Sequence, residues 1–325
     1  YVISDTGSDD NTAEIIEQFF DEKGIQGEIH HDEWVNFAHN RNCALQHAQG
    51  KTDYVLIFDA DDRFEGNFVL PEELTSDRYY FRMANSVTGA NVYFRTLMFR
   101  NDGSFYWRGV LHEFVEQRKK TVVEQKIFGD YYVISGRFGA RSNNPQKYLQ
   151  DALALEKAFY SPEDEDLKDR YAFYTAQSYR DADMYEKAIE WYAIRANLGG
   201  WYEEVYHSLL QISLLKIELN APLDEIQRLL LATYEYRPQR AESLYHLARQ
   251  LRYHNKAKQA YIYATVAANI PLNKDILFVD HSVYEWKAKE ELAMSANSVG
   301  NYQLCHDLCV ELLFNPAVPE SNRKL

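Results

Sequence analysis

Helical periodicity sets in after Asn144-Pro145 and runs almost to the end of the chain, and it recurs in units. Helix starts fall near Leu167, Tyr202, Arg240 and Asp280, at intervals of 35, 38 and 40 residues. Each is followed by a second helical stretch: Glu186–Leu198, Leu223–Tyr236, Lys256–Ile270 and Tyr302–Phe314. Pro238, Pro271 and Pro316 punctuate the units. A helix pair of this length cannot bury its apolar face alone, so repeated pairs must stack into an α-solenoid. Small residues at Ala188, Ala260 and Cys305 sit where helices have to approach closely.

The first 145 residues read differently. Tyr1–Ser4 is a short β-prone run, followed at once by DTGSDDNT. Thr12–Lys23 has apolar residues at helical spacing, with Thr12 as its N-cap and Gly24 at its end. Gly27–His31 reads as a strand and Asn36–Gln49 as a helix ending at Gly50. Tyr54–Asp59 is a continuous apolar run that stops in acid. Strand, helix, strand, helix, strand predicts a parallel sheet covered by helices. Tyr79–Phe99 and Gly109–Glu116 read as further strands without long helices between them, which adds an antiparallel portion. The expected division is an α/β domain over 1–145 and an all-α repeat domain over 146–325.

Composition narrows the function. A chain of 325 residues with 46% apolar and 26% charged residues is globular. Its net charge of −14 leaves no basic footprint for nucleic acid or an anionic membrane. No apolar run reaches the ~18 residues of a transmembrane segment. Three cysteines, Cys43, Cys305 and Cys309, are too few for a disulfide framework, so the expected location is the reducing cytoplasm.

Two segments carry chemistry. Asp59-Ala60-Asp61-Asp62 crowds three carboxylates at a strand end, where open α/β sheets bind ligands. Such carboxylates repel unless a cation joins them, and a hard ion, Mn²⁺ or Mg²⁺, suits oxygen donors. The plain alternative is a solvated acidic turn. The second segment, Asp5-Thr6-Gly7-Ser8 through Thr12, also links a strand end to a helix. Asp5 and Thr6 can accept hydrogen bonds from a base or ribose, and Gly7 permits a tight turn. A helix-capping loop would look the same.

These segments do not stand alone. Asp5-Thr6-Gly7-Ser8-x-Asp10-x-Thr12, Phe37-x-x-x-Arg41-Asn42 and Asp59-Ala60-Asp61-Asp62 follow one another in the order and spacing of a known family. Together they resemble the inverting family 2 glycosyltransferases of the GT-A fold. Phe99-Arg100 through Trp107-x-Gly109-x-x-His112-Glu113 resembles the later part of that catalytic domain in a branch with helical repeats behind it. Gly139-x-Arg141-Ser142 with Lys147-Tyr148 and Asp151 resembles its domain junction. Met184–Tyr192, Lys256–Ala264 and, more loosely, Asn301–Cys309 resemble the second helix of a tetratricopeptide repeat. The fold implied is a GT-A-like α/β nucleotide-sugar domain with a mixed sheet, followed by an all-α tetratricopeptide-like solenoid. In that fold a further strand and helix precede the DTGS-like loop. Only four residues precede it here, so that strand and helix are expected to be missing from this numbering.

The resemblance also assigns roles. Asp5, Thr6, Gly7 and Ser8 would lie against the base and ribose of a nucleotide-sugar donor, UDP-linked. Arg41 would hold the nucleotide or its diphosphate. Asp59 would face ribose and metal, Asp61 would ligate Mn²⁺ or Mg²⁺ directly, and His112 would be a further ligand or a diphosphate contact. Glu113 would be the base that takes the acceptor's proton, with Asp62 and Asp102 as other acids within the segment. The repeats would recognise an acceptor glycan, lipid or protein. Two other readings are carried beside this one: a repeat scaffold with a degenerate enzyme domain, and a nucleotidyltransferase. Intact acids at Asp59, Asp61 and Glu113 speak against the first. The second normally wants a basic, Gly-rich phosphate loop, and none is visible.

Cys305 and Cys309, four apart on a predicted helix, read as core rather than as a zinc site. His30-His31-Asp32-Glu33 reads as a strand end and turn. Trp191, Tyr192, Trp201, Tyr202 and Trp286 read mostly as core packing.

Overall fold

The computed structural model describes residues 1–84, 93–136 and 144–324. It divides into two compact units, Tyr1–Asp164 and Glu165–Leu325. Residues 85–92 of the expected Tyr79–Phe99 strand, and the junction residues Gly139, Arg141 and Ser142, lie outside the described residues.

The first unit opens with β1 (Val2–Asp5), α1 (Thr12–Glu22), β2 (Glu28–His31) and α2 (Phe37–Ala48). β1 and β2 pair in parallel, as alternation with helices requires. Thr12 is the first helical residue of α1 rather than its cap. The Asp10 carboxylate accepts from the Thr12 backbone N–H and hydroxyl, and Asn11 occupies the cap position. α2 is capped by Asn36, whose side chain accepts from His39 N at 2.9 Å. Gly24 (φ +64°) and Gly50 (φ +76°) turn the chain out of the two helices in a conformation that favours glycine.

The third strand departs from the parallel pairing expected of the first three strands. β3 is only Tyr54–Leu56 and pairs antiparallel with β6 (Tyr93–Arg100). It forms the edge of a second sheet that continues through β5 (Arg78–Ala84), β10 (Tyr131–Ser135) and β4 (Asp62–Gly66), with β9 (Glu124–Lys126) also on β5. Leu56 is accordingly exposed. A cleft of about 850 Å³ lies between the two sheets, lined by Val2, Leu45, Ala48, Val55 and Ile57. The core of the second sheet is aromatic: Phe58 stacks on Phe64 (5.0 Å) and Phe64 on Phe68 (4.6 Å), over buried Tyr79, Phe81, Met83 and Tyr131.

Gly109–Glu116 is not one strand. A hairpin is formed by β7 (Phe105–Arg108) and β8 (Phe114–Gln117), and the residues between them turn. Gly109 (φ +94°) and His112 (φ +52°) both adopt left-handed backbone there, so the apparent alternation of the segment is broken. The unit then closes with α3 (Lys147–Phe159).

The second unit is helical throughout its described residues. α4 (Lys168–Asp181) pairs with α5 (Tyr185–Leu198), α6 (Tyr202–Glu218) with α7 (Leu223–Tyr236) and α8 (Glu242–Tyr253) with α9 (Ala257–Asn269). A π turn, Val283–Lys287, leads into α10 (Ala288–Ser298), which pairs with α11 (Tyr302–Phe314). These are the expected four repeats, with α7 and α11 at their predicted bounds. Ala188, Ala260, Ala264, Trp191, Tyr192 and Trp286 are buried between helices, while Trp201 and Tyr202 are exposed. No described helix is long and apolar enough to cross a membrane.

Candidate functional site

α2 begins where the Asn36 cap fixes its first turn, and this aims Arg41 across the end of β3. Arg41 Nη2 donates to Asp59 Oδ1 at 2.7 Å, and its Nε donates to Glu113 Oε1 at 2.8 Å. The guanidinium also lies over the Trp107 ring, 4.8 Å from its centroid. Arg95 on β6 approaches the other oxygen of Asp59 at 3.6 Å. Burial opposes the Arg41 charge, but Asp59 and Glu113 together hold its pKa above the usual value. Three residues far apart in sequence thus form one charged bridge.

The next residue explains why Trp107 and Glu113 are there. Asn42 Nδ2 donates to Trp107 O at 2.9 Å, and Asn42 Oδ1 accepts from Trp107 N at 2.8 Å. One side chain therefore satisfies both backbone groups of a β7 residue. That clamp fixes the hairpin, and with it Glu113, against α2.

The acidic turn is compact. Asp62 N donates to Asp59 O at 3.0 Å, and Gly136 N donates to Asp61 O at 2.9 Å. Asp62 then enters β4 opposite Ser135. It is buried, and neither of its carboxylate oxygens closes a hydrogen bond. Burial is the main reason its pKa lies above the ordinary carboxylate value; the nearby Ser135 hydroxyl tempers that rise, and the charges of Asp59 and Asp61 add to it.

The DTGS-like loop is held by its own side chains. Asp5 Oδ1 accepts from Ser8 Oγ (2.6 Å) and Ser8 N (3.2 Å), and its other oxygen meets His31 Nδ1 at 3.0 Å. The Ser8 hydroxyl is the chief cause of the lowered Asp5 pKa. Gly7 (φ +104°) makes the turn that these bonds close. Beside it, Asp32 accepts from Ser4 (2.6 Å) and meets His47 (3.1 Å), so the His30–Glu33 segment ties β2 to β1 and α2.

A cavity of about 400 Å³ opens between the ends of β1 and β3, lined by Ile3, Ser4, Trp34, Phe37, Arg41 and Asp59. Trp34 is half exposed and meets Phe37 edge-on at 4.9 Å. Arg41, Asp59 and Glu113 are therefore joined, with Asp61 and Asp62 in the adjoining turn. His112 is placed in the hairpin turn, and among the described residues no three His, Cys, Asp or Glu side chains are set to hold a metal ion. Asp102 lies with Lys119 (2.7 Å) and Ser104 (3.0 Å); burial opposes its charge, but these partners outweigh it and pull its pKa down to about 2. That makes it a poor base. Trp107, Arg95 and the Asn42 clamp were not marked by any motif role, although Asn42 and Trp107 stand inside the quoted runs.

Residues 1–75 match the family model described as Glycosyl transferase family 2. Over those residues the chain is similar to family 2 glycosyltransferases, and repeated helix pairs follow from Lys168 onward. The match spans the DTGS-like loop, Arg41 and the Asp59–Asp62 acids. It supports glycosyltransferase activity at the level of the family. No curated protein matches the chain in sequence. Solved structures that resemble it do so loosely. BtubC from P. vanneervenii is 17% identical, with 53% of this chain and 72% of that one covered at a TM-score of 0.41. MamA is 11% identical, with 59% and 98% covered at 0.41. A chain from Podosopora anserina with nearly identical TPR-like repeats is 16% identical, with 53% and 87% covered at 0.38.

Proposed function

We propose that the first unit transfers a sugar, with inversion, from a nucleotide-diphosphate donor to an acceptor hydroxyl or other nucleophile recognised by the repeats. The observation that carries this reading is the Arg41 bridge between Asp59 and Glu113 within and beside the segment matched by the family. The donor's base and ribose would enter the cavity lined by Ser4, Trp34 and Phe37, with the DTGS-like loop following Ser4 in the chain. UDP is the nucleotide this reading favours. Arg41 would then meet the diphosphate, pairs of whose oxygens suit the planar guanidinium fork.

In the reaction the acceptor oxygen attacks the anomeric carbon, and the bond from that carbon to the phosphate oxygen breaks. The bonding pair leaves with the diphosphate. The acceptor's proton passes to Glu113, which the hairpin turn and Arg41 hold in place. Arg41 and Arg95 stabilise the charge gathering on the leaving group.

A divalent cation fits this site in a limited way. The buried, unpartnered Asp62 carboxylate and its neighbour Asp61 are hard oxygen donors at the same turn. Mg²⁺ and Mn²⁺ commonly bind through one or two carboxylates and complete their shell with phosphate oxygens. Asp61, with Asp59, would hold such an ion, and it would supply Lewis-acid stabilisation of the diphosphate. His112 is the weakest member of that set, given its place in the turn.

The test is a thermal-shift series with nucleoside diphosphates, with and without Mn²⁺, followed by donor hydrolysis. The diphosphate should raise Tm, more so with Mn²⁺, and Asp61→Ala should remove the metal-dependent part. Full donor turnover by Asp61→Ala in chelator would overturn the metal assignment. The absence of any diphosphate effect would favour a repeat scaffold with an inactive domain.

A further inference from the structure

The connection from the third repeat to the fourth is the long one. Residues 199–201 join α5 to α6 and 237–241 join α7 to α8, whereas 270–282 lead from α9 to the π turn. Helix connections seldom need so many residues. The extra length turns back across the first helices of the preceding repeats. Arg237 Nε donates to Asp275 Oδ2 at 2.6 Å and its Nη2 to the other oxygen, while Arg240 Nη1 adds a bond at 3.3 Å. The next two backbone N–H groups, of Ile276 and Leu277, both donate to Glu203 Oε2, at 2.8 and 2.7 Å. The Phe278 carbonyl accepts from Arg240 Nη2 at 3.3 Å. Its ring lies over His207 of α6, 4.6 Å between centroids, and 6.4 Å from Phe173 of α4.

Polar bonds hold this loop, and they hold it imperfectly. The Asp275 side chain is 4% exposed, yet Ile276 is 80% and Phe278 55% exposed. Phe278 sits in the left-handed region (φ +46°), a costly place for a bulky side chain. Beneath its ring the buried His207 Nε2 finds no hydrogen-bond partner among the described residues. Burial is the chief reason that imidazole stays neutral, its pKa pulled down to about 3. We propose that this face of α4, α6 and α8 recognises an extended segment of a partner protein, and that the chain's own loop, residues 273–278, is the internal stand-in for it. The loop states the chemistry of that segment: a carboxylate, two free backbone N–H groups and an aromatic side chain three residues after the acid. Arg237 and Arg240 read the carboxylate as a fork, Glu203 reads the backbone, and Phe173 with His207 receives the ring. Without an occupant the charges of Glu203 and Arg237 would stand unpaired at a nearly buried site, so loop and partner exchange rather than leave the face empty. This holds whether or not the first unit transfers a sugar.

The probe is the loop's own sequence as a free, capped, fluorescein-labelled peptide, NKDILFVD (residues 273–280), titrated against the 325-residue chain by fluorescence polarisation. In the wild type the tethered loop competes at an effective concentration on the order of millimolar. Asp275→Ala with Phe278→Ala should release it and tighten peptide binding by about tenfold or more. Adding Arg237→Ala to that variant, or Asp275→Asn to the peptide, should reverse the gain. Equal binding by wild type and the released variant, or binding by neither, would overturn the proposal. Should the released variant fold poorly, hydrogen exchange of the wild-type chain decides: the Ile276 and Leu277 amides should exchange about a hundredfold faster than those of α8. Amides as slow as those of α8 mark a loop that never leaves, and would overturn it as well.

Discussion

Arg41 and Glu113 stand 72 positions apart and meet at 2.8 Å, through the guanidinium Nε rather than its outer nitrogens. That leaves Nη2 to Asp59, so one side chain spans the donor end and the acceptor end of the proposed reaction. A lysine has a single charge centre and cannot reproduce this fork. Arg41→Lys should weaken nucleoside-diphosphate binding by about tenfold or more while the fold is kept. Calorimetric titration of wild type and variant measures it; equal affinities would remove Arg41 from the donor site.

The same pairing separates two jobs for Glu113. Glu113→Gln keeps the size of the side chain and its acceptor oxygen for Arg41, and removes its capacity to take a proton. Transfer should fall by about 10²–10⁴, the usual worth of a positioned base, with donor affinity little changed. Single-turnover transfer beside a binding titration gives both numbers. A variant that transfers at the normal rate excludes the assignment. One that loses donor binding as well places Glu113 among the diphosphate contacts, and Asp62 becomes the acid to test next.

Asn42 holds a prediction about stability rather than chemistry. Asn42→Ala would leave the Trp107 N–H and C=O without their partners in a buried hairpin. Losing both should cost about 1–3 kcal/mol. Because the hairpin carries Glu113, transfer should fall along with chemical stability in urea. An unchanged unfolding midpoint would show that the hairpin is fixed by other contacts.

How much of this was readable beforehand depends on the range of the contacts. The repeats were legible because helical periodicity and prolines are local signals: Leu223–Tyr236 and Tyr302–Phe314 were predicted at their observed bounds. The motifs placed Arg41, Asp59 and Glu113 in one site through resemblance alone. Nothing in their spacing says that Arg41 bridges the other two, since the contact depends on how α2 and the β7–β8 hairpin pack. The Gly109–Glu116 segment misled because Val110, Phe114 and Val115 look like a strand, while two left-handed residues make it a turn. The apolar Tyr54–Asp59 run implied a central parallel strand. Its pairing with β6 is antiparallel and at an edge, which no local pattern encodes.

Asp62 gives the last prediction, and the sign follows from its burial. Its carboxyl is held above the ordinary 3.8, so the folded chain binds this proton more tightly than the unfolded one. Stability from this group is therefore present at low pH and falls as pH rises from the ordinary value through the raised one. At neutral pH the folded state carries a buried charge that no hydrogen bond satisfies. Asp62→Asn removes that charge with little change of shape. Its Tm should exceed the wild-type value by a few degrees at about pH 7, equivalent to roughly 1 kcal/mol, and the gain should vanish towards about pH 3. Scanning calorimetry across that range checks it, and a variant less stable than wild type at neutral pH would sink the argument. If donor turnover drops while stability rises, the charge is retained for the reaction rather than for the fold, as destabilised groups at working sites often are.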